Sequence, residues 1–304
     1  MYKLAEIRHP VAVEIKEFEK LFRKQMKSDV PLLNLITAYL LKTKGKQMRP
    51  LFVFLMAGMH HNINEATHTG AALIELLHTA TLVHDDVVDD SQIRRGMFSV
   101  NALWKNKVAV LIGDYLLSRG LLLSLDTSEY ELLKIVSQAT KEMSEGELLQ
   151  IEKARRLDVD EKLYFEIIRK KTASLIASCC AVGAASAKAS PAEVEKARLF
   201  GEKLGIAFQI KDDIFDYQKN LKTGKPNGID IREKKMTLPL LYALRKMNSL
   251  QGLKTKFTIR FNGNNKDKVG RIIRIVEEYG GIEYSEEMMN NYINDALGLL
   301  FTYP

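Results

Sequence analysis

Apolar side chains recur every three to four positions along most of this chain, the spacing of helices that each bury one face, and strictly alternating segments are few. The periodic stretches run roughly 12 to 27 residues between start and stop signals. Asn64 stands before Glu65, and Ser128 with Glu131 and Ser190-Pro191-Ala192-Glu193 read as capping boxes. Gly280-Gly281 reads as a helix end, and Asn262-Gly263-Asn264-Asn265 as a surface loop. No Pro/Gly/Ser-rich linker and no solenoid-length repeat interrupts the pattern. The expectation is an all-α fold of about 10 or more helices forming a single domain over residues 1–304.

Two of these helices change character along their length. Stepping by four along one gives Leu73, Leu77, Thr81, Asp85, Asp89; along the other, Phe200, Leu204, Phe208, Asp212, Asp216. Each stripe is mainly apolar for several turns and then acidic. A core-facing stripe that reaches solvent at its end would produce this once. Two helices doing so together favour a deep apolar cavity with a metal-binding mouth. The acidic ends share one spacing: Asp85-Asp86-Val87-Val88-Asp89 and Asp212-Asp213-Ile214-Phe215-Asp216. Carboxylates one turn apart on a helix repel each other unless something cationic sits among them. Oxygen donors without His or Cys point to Mg²⁺, which takes one or two carboxylates and completes its shell with substrate phosphates.

Composition narrows the partners. The chain is 46% hydrophobic and 27% charged, with 7 Pro and 18 Gly, as in an ordinary globular protein. A net charge of +7 suits an anionic partner, but the basic residues are scattered and there is one Trp, which argues against nucleic acid. Cys179 and Cys180 are adjacent and lack the spaced partners of a zinc site or a disulfide framework, so a reducing, cytoplasmic location is expected. No signal peptide is recognised, and the run Ala173–Ala187, taken as the longest apolar one, is too short and Ser-rich to span a bilayer, so no integral membrane segment is expected.

The acidic pairs do not stand alone. In order along the chain come Gly45-Lys46-Gln47-Met48-Arg49-Pro50, Leu77 to Asp86, Ser91 to Gly96, Gly113-Asp114, Gly146-Glu147 with Gln150, and Lys171-Thr172-Ala173. Phe208 to Asp213, Gly224 to Asp230 and Lys235 to Pro239 complete the series. With these flanks the chain resembles the trans-isoprenyl diphosphate synthases, or polyprenyl synthetases, most closely the long-chain ones, and the resemblance spans residues 45–239. It implies an all-α bundle around a central deep cavity, usually a homodimer. The implied chemistry is Mg²⁺-dependent head-to-tail joining of isopentenyl diphosphate to an allylic diphosphate.

The same resemblance implies roles. Asp85, Asp86 and Asp89, with Asp212, Asp213 and Asp216, would hold Mg²⁺ on the allylic diphosphate. Arg94, Lys171, Lys225 and Lys235 would add direct positive charge. Lys46, Arg49, His78 and Arg95 would bind isopentenyl diphosphate without metal, the planar arginine fork giving phosphate two hydrogen bonds. Thr172 and Gln209 would set oxygen dipoles near a developing cation. Asp90, out of phase with Asp86, would face solvent or Arg94; His84 would be structural, and Glu147 with Gln150 would buttress the site.

Product length turns on what lies beneath the first acidic cluster. Short-chain members place a bulky aromatic residue four or five positions before the first Asp; here those positions are Thr81 and Ala80, with Leu77 a turn deeper. Each helical turn is about 5.4 Å, so the expectation is a growing chain that descends further, to roughly six to eight isoprene units. Three rivals remain at this point: a geranylgeranyl or farnesyl diphosphate synthase, a subunit of a heteromeric synthase, and a class I terpene cyclase. Product size distinguishes the first, turnover by the purified chain the second. The intact second D-D-x-x-D and the Gly45–Arg49 block speak against the third.

Overall fold

The computed structural model describes residues 3–42, 45–154, 159–218, 228–262 and 266–302. In chain order its helices are α1 (Leu4–Arg8), α2 (Ala12–Gln25), α3 (Pro31–Lys42), α4 (Met48–Met59), α5 (Glu65–Val88), α6 (Val100–Asp126), α7 (Tyr130–Ala154) and α8 (Glu161–Ile168). After a π turn at Arg169–Ala173 come α9 (Ser174–Ser186), α10 (Pro191–Tyr217), α11 (Ile229–Arg232) and α12 (Leu238–Lys246). The last are α13 (Ser249–Asn262), α14 (Lys266–Glu278) and α15 (Gly281–Leu300). Among the described residues the sheet is limited to one hairpin, β1 (Ile93–Arg94) and β2 (Met97–Phe98), with Ile93 opposite Phe98 and Arg94 opposite Met97. The all-α expectation holds.

Contacts divide the chain into two compact units. The first comprises residues 1–140 and 178–198, the second residues 141–177 and 199–304.

The first unit is organised on α5. Asn64 caps it, its side chain accepting from the Thr67 backbone N–H at 3.3 Å while the Thr67 hydroxyl accepts from the Asn64 N–H at 3.2 Å. Ala71, Ala72, Leu73, Ile74, Leu76 and Leu77 are all buried, so the helix is covered on nearly every side by its neighbours. An aromatic group adds to this core: the Phe18 ring lies 5.6 Å from Phe22 and 6.2 Å from Phe54. The largest neighbour is α6, which packs Ala109, Ile112, Leu116, Gly120 and Leu123 inward. Among the described residues this helix, and not the Ala173–Ala187 run, is the one long and apolar enough to cross a membrane by length and composition. One face of it is buried against α5, which gives that part of its apolar content a core role.

The second unit has two adjoining apolar clusters. One joins Tyr217, Ile231, Leu240, Ile259, Ile272 and Val276; the other joins Tyr164, Ile168, Ala173, Ile206, Ile210 and Leu238. Tyr217 is fully buried, and its hydroxyl shares a hydrogen bond of 2.6 Å with Thr237.

The expected helix signals held in most places. Ser190 caps α10 with a full box, its hydroxyl accepting from the Glu193 N–H at 3.4 Å and the Glu193 carboxylate accepting from the Ser190 N–H at 2.8 Å. Gly280, in the left-handed region at φ 73°, closes α14 and opens α15. Ser128 is a correction: it too is left-handed, at φ 59°, and α7 begins only at Tyr130, so the expected box with Glu131 does not form.

Candidate active site

In the first unit the candidate residues gather at the C-terminal end of α5. Asp85 and Asp89 are exposed there, and Asp89 is the helix's C-cap, its N–H bonded to the Asp85 carbonyl at 2.8 Å. Asp86 is buried and engaged: Arg94 Nε donates to its Oδ1 at 2.8 Å, a second guanidinium nitrogen also reaches it, and its carbonyl accepts from Asn101 at 3.1 Å. Asp90 is exposed, and Arg94 pairs with Asp86. His84 lies beside Gly113, with Nε2 3.2 Å from the Val110 carbonyl and 3.5 Å from Asp114.

Arg94 and Arg95 are presented by the β1–β2 hairpin. Its two turn residues are Arg95 (φ 53°) and Gly96 (φ 77°), and two positive φ values in a two-residue loop match the twist of the strands. Gly96 takes that conformation freely, whereas Arg95 pays a steric penalty for it. The Arg95 guanidinium lies against Gly45, where a β-carbon would come within 2.7 Å of Cζ. A side chain at the head of the Gly45–Arg49 block would displace that guanidinium. Lys46 is exposed, and its carbonyl accepts from Arg8.

A cavity in this unit is lined by Gln47, Glu75, His78, Thr79, Asp86, Arg94 and Arg95. Glu75 is the residue that sequence reasoning missed. It stands one turn before His78, buried, with Oε2 lacking a hydrogen-bond partner. Burial raises its pKa, and Arg49 and Arg95 pull it back down. Arg49 Nε and His78 Nδ1 are likewise buried without partners. Burial and the three arginines Arg49, Arg95 and Arg94 hold His78 well below its ordinary pKa, so it is neutral. Burial lowers the Arg49 pKa, and Glu75 opposes that. A charged residue inside the apolar run around Leu76 and Leu77 was the available signal. Leu77, Ala80 and Thr81 are absent from the lining of this cavity; Ala80 and Leu77 are buried, and the Thr81 hydroxyl donates to the His78 carbonyl at 2.9 Å.

In the second unit, six of the expected residues line one cavity of about 240 Å³: Lys171, Thr172, Gln209, Asp212, Asp213 and Lys235. Lys171 and Thr172 sit within the π turn, the kind of one-residue bulge that re-aims side chains at functional sites. Two glycines let neighbouring helices close on that turn. A β-carbon on Gly146 of α7 would meet the Lys171 backbone nitrogen at 2.7 Å, and one on Gly205 of α10 would meet Ala173 Cα at 2.6 Å. Lys171 pairs with Glu147 and lies 3.4 Å from Gln150 Oε1.

A hydrogen-bond chain runs through the cavity wall. Thr172 Oγ1 donates to Gln209 Oε1 at 2.8 Å, Gln209 Nε2 donates to Asp213 Oδ1 at 2.8 Å, and the Tyr164 hydroxyl donates to Asp213 Oδ2 at 2.7 Å. Burial lifts the Asp213 pKa to about 7, with Asp230 adding to the rise. Asp213 therefore points inward, while Asp212 is exposed. Asp216 accepts the backbone N–H groups of Ile229 at 2.9 Å and Asp230 at 3.0 Å, which fastens α11 beside the cluster. Lys235 lies 3.4 Å from Asp230 and 2.5 Å from Glu233. Burial opposes its charge, but those carboxylates outweigh burial and raise its pKa. Burial also lifts Asp230 to about 6, against the pull of Lys235. Lys225 lies outside the described residues.

Among the described residues no three acidic, His or Cys side chains converge into a ready metal cage. The donor chemistry of each unit nevertheless fits hard divalent cations, since Asp85 and Asp89 in the first and Asp212 in the second offer exposed carboxylate oxygens and such cations are completed by phosphate oxygens and water.

An all-helical chain with exposed aspartates at the end of α5 and on α10, and with arginines and lysines lining two cavities, is of the isoprenoid synthase type. Its sequence matches the profile of the polyprenyl synthetases over residues 30–276. It is 36% identical over 302 residues to the all-trans-nonaprenyl-diphosphate synthase (geranyl-diphosphate specific) of Rhodobacter capsulatus, covering 98% of this chain and 92% of that one. A decaprenyl diphosphate synthase from Rhodobacter capsulatus superposes with a TM-score of 0.93 at 32% identity, covering 99% of this chain and 94% of that one. A polyprenyl synthase from Caulobacter crescentus CB15, complexed with calcium and isoprenyl diphosphate, gives 0.90 at 32% identity, covering 99% and 92%. The chain belongs to the polyprenyl synthetase family and is a prenyltransferase.

Proposed function

We propose that the protein is a Mg²⁺-dependent all-trans polyprenyl diphosphate synthase. It joins isopentenyl diphosphate head to tail onto an allylic diphosphate and makes a long-chain product of about C30–C40, each unit needing room along a helix of about 5.4 Å per turn. The observation that carries the chain length is the pair of small residues, Ala80 and Thr81, one turn before Asp85. Relatives named as octaprenyl, nonaprenyl and decaprenyl synthases support a long-chain product, the last two being longer than this range. Residues 1–304 act as one catalytic domain.

Isopentenyl diphosphate is held by Lys46, Arg49, His78 and Arg95. The neutral His78 donates a hydrogen bond, and the arginines supply the charge. Asp85, Asp86 and Asp89 with Asp212 and Asp216 would hold Mg²⁺, which would supply charge neutralisation at the allylic diphosphate. Arg94, Lys171, Lys225 and Lys235 add charge to the same leaving group as its C–O bond ionises. Asp213 serves by orienting Gln209. Because Thr172 has committed its hydrogen to Gln209, its remaining lone pairs face the developing allylic cation as a preset negative dipole. The double bond of isopentenyl diphosphate attacks that cation, and the proton then lost passes to the pyrophosphate.

The working form is a homodimer in the cytoplasm. Opposite its buried face α6 exposes Leu103, Val110, Leu111, Leu121, Leu122 and Leu125, a stripe that a second copy would cover. Both cysteines are buried and free, in keeping with a reducing compartment.

The test is incubation of the purified chain with Mg²⁺, farnesyl diphosphate and labelled isopentenyl diphosphate, followed by sizing of the dephosphorylated products. Products of about six or more units support the open path beneath Asp85. Products of four units keep the chemistry and place the floor near Leu77. No incorporation with any allylic primer points to a subunit that needs a partner chain.

A further inference from the structure

Helix α13 carries its large apolar side chains on the wrong side for a core helix. Thr255 and Ile259 face inward, whereas Leu250, Leu253, Phe257 and Phe261 are 64%, 66%, 61% and 63% exposed. At about 100° per residue these four fall within one narrow stripe, with Lys254 on one flank and Arg260 on the other. Phe257 and Phe261 pack ring to ring at 4.6 Å, so they form one joined apolar surface. The helix has Lys254, Lys256 and Arg260 and no acidic residue. A groove beside it is lined by Leu253, Lys254, Phe257, Arg271 and Arg274, which extends the positive rim onto α14.

We infer that this face of α13 docks onto an anionic lipid bilayer, with the Phe and Leu stripe in the acyl boundary and the Lys and Arg flanks at the headgroups. A helix with aromatic and Leu residues on one side and basic residues beside them lies in the plane of such an interface. Long basic side chains suit the position, since their stems follow apolar surface while their heads stay at the charged layer. A second copy of the chain is a poor occupant: a two-fold contact would set Lys254, Arg260, Arg271 and Arg274 against themselves. The exposed stripe of α6 differs in kind, because it holds the acidic Asp114 at its centre, whereas α13 carries no acidic residue. The docking rests on α13 alone. Only its use, passing a greasy prenyl chain straight into the bilayer, rests on the function proposed above.

The experiment is flotation of the full chain, without substrates, on vesicles of phosphatidylcholine with and without about one third phosphatidylglycerol. Wild-type protein is expected to float with the anionic vesicles at low salt and to lose most of that binding at about 0.5 M salt. Phe257→Ala with Phe261→Ala, and separately Lys254→Glu with Arg260→Glu, are expected to weaken binding at least about tenfold. Turnover without vesicles should stay within about twofold, since exposed positions away from the site change little. Circular dichroism confirms that both variants remain folded. Failure of the wild type to float overturns the inference and leaves an acidic protein as the occupant. Equal binding to neutral vesicles, or wild-type binding by either double variant, overturns it as well. Wild-type protein that floats with the anionic vesicles but shows no turnover counts against the proposed function and leaves the docking intact.

Discussion

Thr172 donates its hydroxyl hydrogen to the side-chain carbonyl of Gln209 at 2.8 Å, joining the π turn to α10. Removing the hydroxyl with Thr172→Val leaves the Gln209 oxygen without its donor and takes the oxygen lone pairs from the wall of the cavity. We expect kcat to fall about tenfold, equivalent to about 1.4 kcal/mol, with both KM values within about twofold. Steady-state kinetics check this. An equal rise in both KM values with kcat unchanged would assign Thr172 to ground-state binding.

Tyr164 and Asp213 make a second link, and it carries a pH signature. Asp213 has a folded pKa of about 7, above the ordinary carboxylate value. Its contribution to stability is therefore fully present below about pH 4 and is lost as the pH rises through about 7. Asp213→Asn, which stays neutral, should flatten the fall in stability across that window. Denaturant melts in EDTA at a series of pH values measure it. Tyr164→Phe removes a buried hydrogen bond and should cost about 1–3 kcal/mol.

Gly146 and Gly205 hold the π turn from two sides. An Ala at either would ordinarily strengthen its helix by about 0.5–1 kcal/mol. Here the added methyl meets backbone at 2.7 Å and 2.6 Å respectively, so the turn or the helix must shift. We expect a net loss of about 1–3 kcal/mol and a fall in kcat. An unchanged or raised melting temperature for both variants would show that the turn yields easily.

Glu75 is the counter-charge for Arg49 and Arg95 inside the first unit. With Gln in its place, two guanidinium groups repel without compensation and lose their aim. KM for isopentenyl diphosphate should rise about tenfold while KM for the allylic substrate stays within about twofold. A parallel rise in both constants would reduce Glu75 to a general packing role.

Product length offers the most direct readout on α5. Ala80→Phe or Thr81→Phe should stop the chain at about three or four units, one turn of helix beneath Asp85 being about 5.4 Å. Chromatography of the dephosphorylated products decides it, and unchanged length in both variants would place the floor elsewhere.

Much of this was legible in the residues. The Asn64 and Ser190 caps, the long helices and the acidic ends of α5 and α10 come from local pattern, because each involves contacts within a few positions. The motif blocks also gathered Lys171, Thr172, Gln209, Asp212, Asp213 and Lys235 at one cavity. Pattern does not convey direction. Asp212 and Asp213 read alike, yet one is exposed and the other is turned inward by Tyr164, which lies far away in sequence. The left-handed Arg95 gave no local sign, since an ordinary residue there is held by its surroundings. The π turn was equally hidden, because one extra residue in a turn leaves no mark on composition.

That extra residue makes the second cavity a matter of helical phase. Each position in a regular helix advances about 100°, so deleting one residue between Arg169 and Ala173 would rotate α8 by more than a quarter turn against α9. Tyr164 would swing away from Asp213 although every side chain in both helices was retained. The segment is thus tolerant of changes in residue type and intolerant of changes in length, and insertions or deletions there would silence the site where most substitutions only weaken it.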